Sequence, residues 1–178
     1  MITPGKNYVV GIDIGGQTAK MGVIDRRGNV VGETVIPSNK HTDPAEFVPF
    51  MAEALKGLFA KLGVEGQILG VGAGAPCANY RSGTIDNAAN VTWANARIVP
   101  FANMLSEALD GIPVALTNDA NAAALGEMYY GAARGMKDFI VITLGTGVGS
   151  GIVIDGKLVY GHDGFAGELG HVRVIRHN

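Results

Sequence analysis

Two glycine-rich turns, centred on Gly15 and Gly145, constrain the fold of this chain more than any other feature. The apolar segments that they join have strand length: Tyr8–Asp13 and Ala19–Asp25 around the first turn, Phe139–Leu144 and Ser150–Asp155 around the second. At an offset of 130 residues the matching positions are Ile12 with Ile142, Ile14 with Leu144, and Val23 with Val153. Short glycine hairpins often look alike, but one offset that holds on both sides of the turn favours an internal duplication.

The rest of the sequence predicts alternating helices and strands. Asp43 and Pro44 are the residue types of a helix N-cap and first turn; apolar residues then keep helical spacing to Leu62, and Gly63 suits the C′ position. The other predicted elements are strands over Asn29–Ile36, Gln67–Val71, Val114–Thr117 and Lys157–Tyr160, and helices over Phe101–Leu109 and from Ala120 to about Tyr130. The predicted fold class is therefore α/β.

The two copies leave very different lengths of chain behind them. More than a hundred residues separate the first copy from the second, whereas only 17 residues follow Gly161 in this 178-residue chain. Two similar halves would make a protein of about 270–320 residues, an ordinary two-domain size. We therefore expect an N-terminal small lobe over residues 1–118 and the truncated start of a second lobe over residues 119–178.

Charge and cysteine content narrow the functional classes. A formal net charge of −2, without clustered Lys or Arg, gives no electrostatic support for binding nucleic acid or a membrane. The single cysteine, Cys77, excludes an internal disulfide and fits a reducing cytoplasm, where we expect the protein to reside. The N-terminus lacks the basic stretch and long apolar run of a secretion signal.

A strand that ends in several glycines exposes backbone N–H groups, and such groups bind oxyanions. Copies from two lobes could hold the phosphate tail of a nucleotide. An ordinary hairpin turn is the commoner alternative, but tight turns do not need a run as rich in glycine as residues 145–151. The P-loop motif is absent, and Gly72–Cys77 lacks the third glycine of a dinucleotide fingerprint and contains Pro76.

Polar side chains follow the predicted strand Val114–Thr117. Asn118 or Asp119 as a helix N-cap is the simpler interpretation of this segment. However, the end of a strand in an α/β protein is also where ligands bind, and phosphoryl transfer to an alcohol needs an acceptor for the hydroxyl proton. Asp119 is the candidate base. If their segment is helical, Glu168 and His171 share one face and could contact one ligand, although a solvated surface pair is the simpler interpretation.

Five motifs are spread over nearly the whole chain: Asp13–Gly16, Gly72–Pro76, Asn118–Ala123, Leu144–Gly149 and Gly167–His171. Together and in this order, they resemble the ROK family of sugar kinases and repressors. The resemblance is closest to the bacterial glucokinases of that family and implies an actin-like (ribonuclease H-like) two-lobed fold. It also implies ATP-dependent phosphorylation of the 6-hydroxyl of a hexose, with glucose as the expected acceptor.

The resemblance implies roles for individual residues. Asp119 would be the general base, and Asn118, Glu168 and His171 would contact sugar hydroxyls. Asp13 would orient Mg²⁺ through water, and His171 would ligate a structural Zn²⁺ only in the complete protein, with cysteines beyond this chain. The residues implied to hold the ATP phosphates are Asp13, Gly15, Gly16, Gln17, Thr18, Gly145, Thr146 and Gly147.

Three departures from the family pattern affect these expectations. Gln17 stands where threonine is usual, with Thr18 one residue later, so either side chain could face phosphate. Cys77 stands where glycine is usual, beside the sugar. The chain stops at Asn178, before the zinc cysteines and most of the adenine pocket. We therefore expect no bound zinc, little or no kinase activity, and self-association of this chain as a homo-oligomer.

Two other functions stay open at this point. The family includes sugar-sensing transcriptional regulators, although these carry an N-terminal helix-turn-helix module and this chain enters its first strand by about Tyr8. An actin-like or chaperone-like ATPase without a sugar site would leave Glu168 and His171 unexplained. The identity of the hexose does not follow from the sequence.

Overall fold

The computed structural model describes residues 5–145 and 147–173. The chain divides into two compact units, Met1–Asn118 and Asp119–Asn178, called here the N-terminal and C-terminal units. The strands of the N-terminal unit are β1 (Tyr8–Ile14), β2 (Thr18–Asp25), β3 (Val30–Pro37), β4 (Ile68–Ala75), β5 (Ala78–Asn79), β6 (Thr84–Asp86), β7 (Ile98–Val99) and β8 (Val114–Asn118).

The N-terminal unit is built on a five-stranded sheet in the order β3-β2-β1-β4-β8. β1, β2 and β3 form an antiparallel meander, whereas β1, β4 and β8 run parallel. The register pairs Asp13 with Gly74 and Ala75 with Asn118. The parallel strands therefore end together at one side of the sheet, called here the carboxyl edge, where α/β sheets bind ligands.

Two helices, α1 (Pro44–Leu62) and α2 (Phe101–Ala108), belong to this unit. α1 begins and ends as the sequence predicts. Asp43 accepts a hydrogen bond from the N–H of Ala45 over 2.9 Å, and Gly63 follows the helix at a φ of 66°, which favours glycine. Apolar residues on alternate positions of β1 and at helical spacing on α1 share one buried core: Val10, Ile12 and Ile14 with Phe47, Met51 and Leu55.

Trp93 lies at the centre of that core, in a short 3₁₀ turn, and is fully buried. Its ring centroid lies 4.5 Å from that of Phe47 and 5.8 Å from that of Phe101. The turn is thus packed against both helices through aromatic contacts. Close by in sequence, β5, β6 and β7 form a small antiparallel sheet that the sequence does not predict, because strands of two or three residues show no periodicity.

The C-terminal unit comprises helix α3 (Asp119–Tyr130) and strands β9 (Phe139–Leu144), β10 (Val148–Ile154) and β11 (Lys157–Leu158). The strands form an antiparallel sheet in the order β11-β10-β9. α3 packs directly on the backbone of β10: a Cβ built on Gly151 would lie 2.5 Å from the Cβ of Ala124. A 3₁₀ turn over Leu169–His171 follows.

The duplicated hairpins differ by one residue in their pairing. Ile14 pairs with Ala19 across a four-residue connection, whereas Leu144 pairs with Val148 across three residues. A shift of one residue reverses the face that a strand presents. Accordingly Ile140, Ile142 and Leu144 are 46, 53 and 80% exposed, although their counterparts in β1 are buried. The sequences of the matching strands therefore agree at an offset of 130 residues, but the residue pairs between the two strands of each hairpin do not.

The α/β class predicted from the sequence is confirmed, with shifts at element ends. β4 continues to Ala75, beyond the predicted end at Val71, because it follows β1 along its length. The strand predicted over Lys157–Tyr160 is limited to Lys157–Leu158. Within the described part of the chain, no helix combines the length and the hydropathy needed to cross a bilayer.

Candidate functional site

The first glycine turn lies at the carboxyl edge, between β1 and β2. The N–H of Gly15 donates to the carbonyl of Thr18 over 2.9 Å, which closes the turn. Gly16 is required by packing, because a Cβ there would lie 2.5 Å from the carbonyl oxygen of Asn90. Asp13, the second-last residue of β1, is exposed at the same edge. Asn118, at the end of β8, is partly buried there.

The segment after β3 holds this turn from one side. The hydroxyl of Ser38 donates to the carbonyl of Gly15 over 2.5 Å, and the N–H of Ser38 donates to the carbonyl of Gln17 over 3.0 Å. The side-chain amide of Asn39 donates to Oε1 of Gln17 over 3.0 Å. The side-chain oxygen of Gln17 therefore already has a partner within the chain.

The second glycine turn connects β9 and β10. The N–H of Gly145 donates to the carbonyl of Gly147 over 2.9 Å. A Cβ built on either glycine would have no described atom within 4 Å apart from its chain neighbours. No contact within the described chain therefore requires glycine at these two positions. Thr146, which the family resemblance implies in phosphate binding, lies outside the described residues.

Other glycines of the same run have a structural reason. A Cβ on Gly149 would lie 2.6 Å from Oγ1 of Thr143 and 3.0 Å from the Cβ of Ala120, and a Cβ on Gly151 would lie 2.5 Å from the Cβ of Ala124. The close approach of helix α3 therefore explains glycine at positions 149 and 151. It does not explain Gly145 and Gly147.

Asp119 is the first residue of α3 and is exposed. Its Oδ1 accepts a hydrogen bond from the N–H of Ala120 over 2.8 Å, so one oxygen does act at the helix start. No hydrogen bond from the described residues reaches Oδ2. Because Ala120 contacts Gly149, Asp119 lies beside the start of β10, in the same unit as the second glycine turn.

Glu168 and His171 form a loose pair in the C-terminal unit. Oε2 of Glu168 and Nε2 of His171 are 3.9 Å apart, and the histidine side chain is 86% exposed. Their segment rests on β10, because a Cβ on Gly170 would lie 2.3 Å from the carbonyl oxygen of Val148. The hydroxyl of Ser150 also donates to the carbonyl of Gly167. The start of β10 is therefore in contact with both the first turn of α3 and the segment of Glu168 and His171.

The described residues contain no group of three His, Cys, Asp or Glu side chains close enough to hold a metal ion. Asp13 supplies a single exposed carboxylate. One carboxylate suits a Mg²⁺ ion that keeps water and phosphate oxygens as its other ligands. His171 alone cannot form a tetrahedral zinc site.

The pKa of Asp25 is lowered, chiefly by a hydrogen bond from the side chain of Asn29 and also by the backbone N–H of Asn29. This carboxylate closes the turn between β2 and β3, where it also accepts from the N–H of Arg27 over 2.8 Å. It is a structural group away from the glycine turns.

Ser38 and Asn90 are the site residues that the sequence did not single out. Each touches the first glycine turn, but neither belongs to a motif that predicts this contact. Pairing of β3 with β2 places Ser38 beside this turn, and Asn90 lies two residues before the 3₁₀ turn that contains Trp93.

Comparison with known proteins supplies the family. The ROK family model matches residues 9–178. The chain belongs to the ROK family. It is 42% identical over 170 residues to a glucokinase of Halalkalibacterium halodurans, covering 94% of this chain and 50% of that protein. The chain thus spans about half the length of the curated relatives it matches.

A solved structure agrees with this assignment. The ROK family glucokinase from Streptomyces griseus, in complex with glucose and AMPPNP, superposes with a TM-score of 0.77 at 35% identity, covering 94% of this chain and 51% of that one. ROK sugar kinases have the actin-like ATPase fold, and the chain has the corresponding half of it. A xylose repressor of Caldicellulosiruptor bescii is 42% identical over 108 residues, covering 60% of this chain and 26% of that protein. The relatives point to a sugar kinase and also include repressors.

Proposed function

We propose that the protein to which this chain belongs is an ATP-dependent hexose kinase that phosphorylates the 6-hydroxyl of glucose. The observation that carries this proposal is the pair Gly145 and Gly147. No contact among residues 5–145 and 147–173 requires glycine at either position, and the strand that follows this turn contacts the helix that begins with Asp119. A ligand that approaches the backbone closely would supply the missing reason, and phosphate is the chemical group that such N–H donors bind.

In the proposed reaction, the 6-oxygen of the sugar attacks the γ-phosphorus of ATP and ADP leaves. Oδ2 of Asp119 takes the hydroxyl proton, since only Oδ1 is bound to the helix N-terminus. Backbone N–H groups of the two glycine turns would bind the phosphate oxygens. Mg²⁺, oriented by Asp13 through water, would neutralise charge on the transferring group.

Asn118, Glu168 and His171 would bind and orient sugar hydroxyls. The spacing of 3.9 Å between the Glu168 carboxylate and the His171 ring leaves both side chains able to contact one ligand. Glucose is proposed as the acceptor because the Streptomyces griseus relative binds it. The chain spans about half of its relatives, so we propose that these 178 residues alone have little activity and that structural zinc requires ligands outside them. We also propose a cytoplasmic location.

The test is the Asp119→Asn variant of the full-length protein, assayed for ADP release with a panel of hexoses. Loss of the base should lower kcat about 10²–10⁴-fold and leave AMPPNP binding unchanged. Asp110→Asn is a matched control. Asp110 is an exposed aspartate of the N-terminal unit with a φ of 58°, a conformation that asparagine also tolerates. Unchanged turnover in a folded Asp119→Asn protein would refute the role of Asp119.

A sugar-sensing regulator is the second candidate, since a xylose repressor matches 60% of this chain. Such a protein would bind a sugar without turning over ATP. Isothermal titration with glucose and xylose, run beside the kinase assay, separates the two. Sugar binding without ADP release from the wild-type protein would favour the regulator.

A further inference from the structure

Ser38 lies directly after β3 and is fully buried, although its side chain is polar. Both of its hydrogen-bond donors are used on the first glycine turn. Its hydroxyl donates to Gly15 and its N–H donates to Gln17. One residue therefore fixes two carbonyl groups of the same turn.

Fixing a carbonyl also fixes the N–H group of the next residue. In a trans peptide the C=O of one residue and the N–H of the next are coplanar and point in opposite directions. The described part of the chain contains no cis peptide bond. By holding the carbonyls of Gly15 and Gln17, Ser38 turns the N–H groups of Gly16 and Thr18 away from itself.

The N–H of Gly16 is an available donor. None of the described residues accepts a hydrogen bond from it. The backbone of Asn90 closes the turn from another side, at a distance that leaves no room for a Cβ on Gly16. With Ser38 and Asn90 both in contact, the peptide between Gly15 and Gly16 has little freedom to rotate.

We propose that Ser38 is a positioning residue for nucleotide binding, which sets the direction of the backbone donors in the first glycine turn. Asn39 supports it by holding the side chain of Gln17. The ligand class is the polyphosphate of a nucleotide, so the inference rests on the proposed kinase function. A donor that is already aligned loses less freedom when phosphate binds, and misalignment of about 1 Å can cost about 100-fold in rate.

The test compares Ser38→Ala with Ser38→Thr, which retains the hydroxyl, in the full-length protein. Calorimetry measures the Kd of Mg·AMPPNP, and steady-state assays give kcat and separate KM values for ATP and glucose. Ser38→Ala should weaken AMPPNP binding about tenfold and raise the KM for ATP similarly, with the KM for glucose unchanged. Ser38→Thr should restore wild-type values.

Ile36→Val is the matched control for general destabilisation. Ile36 is buried on β3, two residues before Ser38, and pairs with Ala19 of β2. It should lower the melting temperature without changing the Kd of AMPPNP.

Two results would overturn the inference: wild-type nucleotide binding in a folded Ser38→Ala protein, or weakened binding in Ile36→Val equal to that in Ser38→Ala. If the wild-type protein bound AMPPNP but phosphorylated no hexose, the proposed function would be refuted. The comparison of AMPPNP binding between the Ser38 variants and the wild type would still test the role of Ser38.

Discussion

Cys77 has a φ of 54°, in the left-handed region, directly after Pro76 in the connection between β4 and β5. Proline followed by a residue of positive φ is the arrangement of a type II turn, which favours glycine at the second central position. Cys77 stands where glycine is usual in the family. At this positive φ, a residue with a Cβ is less stable than glycine.

Cys77→Gly should therefore raise the free energy of unfolding by about 0.5–1 kcal/mol, since it removes the steric cost of a Cβ at positive φ. Cys77→Ala retains a Cβ and serves as the control, with no gain expected. Equilibrium denaturation in urea measures both. Equal stability of the glycine and alanine variants would contradict a strained backbone at this position.

The glycines of residues 145–151 look alike in the sequence but differ in the structure. Gly151→Ala should cost about 1–3 kcal/mol of stability, because its Cβ would collide with Ala124 and the backbone of α3. Gly147→Ala has open space and should change stability by no more than about 0.5 kcal/mol.

The Gly147→Ala variant also tests whether this turn binds phosphate. In the full-length protein, Gly147→Ala should weaken AMPPNP binding, measured by calorimetry, because the added methyl group keeps phosphate away from the backbone. A Gly147→Ala variant with normal stability and normal nucleotide binding would remove the main support for a phosphate site at this turn. The sequence shows the glycines of this run. It does not distinguish Gly149 and Gly151, which pack against helix α3, from Gly145 and Gly147, which have open space around them.

At the scale of elements, helix ends were predictable and strand pairing was not. The start and end of α1 follow from Asp43, Pro44 and Gly63, whose effects are local. β9 is different, because Phe139 and Val141 on one face alternate with the apolar Ile140, Ile142 and Leu144 on the other. A strand that is apolar on both faces contains no pattern from which its orientation can be inferred. The one-residue difference between the two hairpins was therefore invisible in the sequence.

The difference in burial between matching residues of β1 and β9 can be tested by making the same substitution in both strands. Ile12→Thr buries a hydroxyl in the core of the N-terminal unit and should cost about 2 kcal/mol or more. Ile142→Thr, at the matching position of β9, should cost no more than about 0.5 kcal/mol in this chain, since Ile142 is 53% exposed. Thermal unfolding monitored by circular dichroism compares the two. A similar loss in both variants would contradict the exposed position of Ile142.

At the scale of the whole chain, each unit leaves apolar surface uncovered. In the N-terminal unit, the sheet face opposite the buried residues of β1 includes Val9 and Leu69, 39 and 44% exposed, around a depression of about 520 Å³. In the C-terminal unit, the outer face of β9 is apolar. Exposed apolar surfaces of this kind favour association.

We therefore expect the 178-residue chain to self-associate. Multi-angle light scattering after gel filtration should give a mass above that of the 18.4 kDa monomer at micromolar concentration. Leu69→Lys and Ile142→Lys, made separately and together, should lower that mass by placing charge on each face in turn. A monomer for the unsubstituted chain would contradict the expectation.

The burial of Trp93 between Phe47 and Phe101 has a practical consequence for spectroscopy. The chain contains one tryptophan, so its fluorescence is an optical reporter of the N-terminal unit alone. Far-ultraviolet circular dichroism, by contrast, sums over the helices of both units. If the two signals follow one denaturation curve, the units unfold as a single cooperative system. If fluorescence changes at a higher urea concentration than ellipticity, the Trp93 core outlasts the rest of the chain, and its own stability can be measured without cutting the protein.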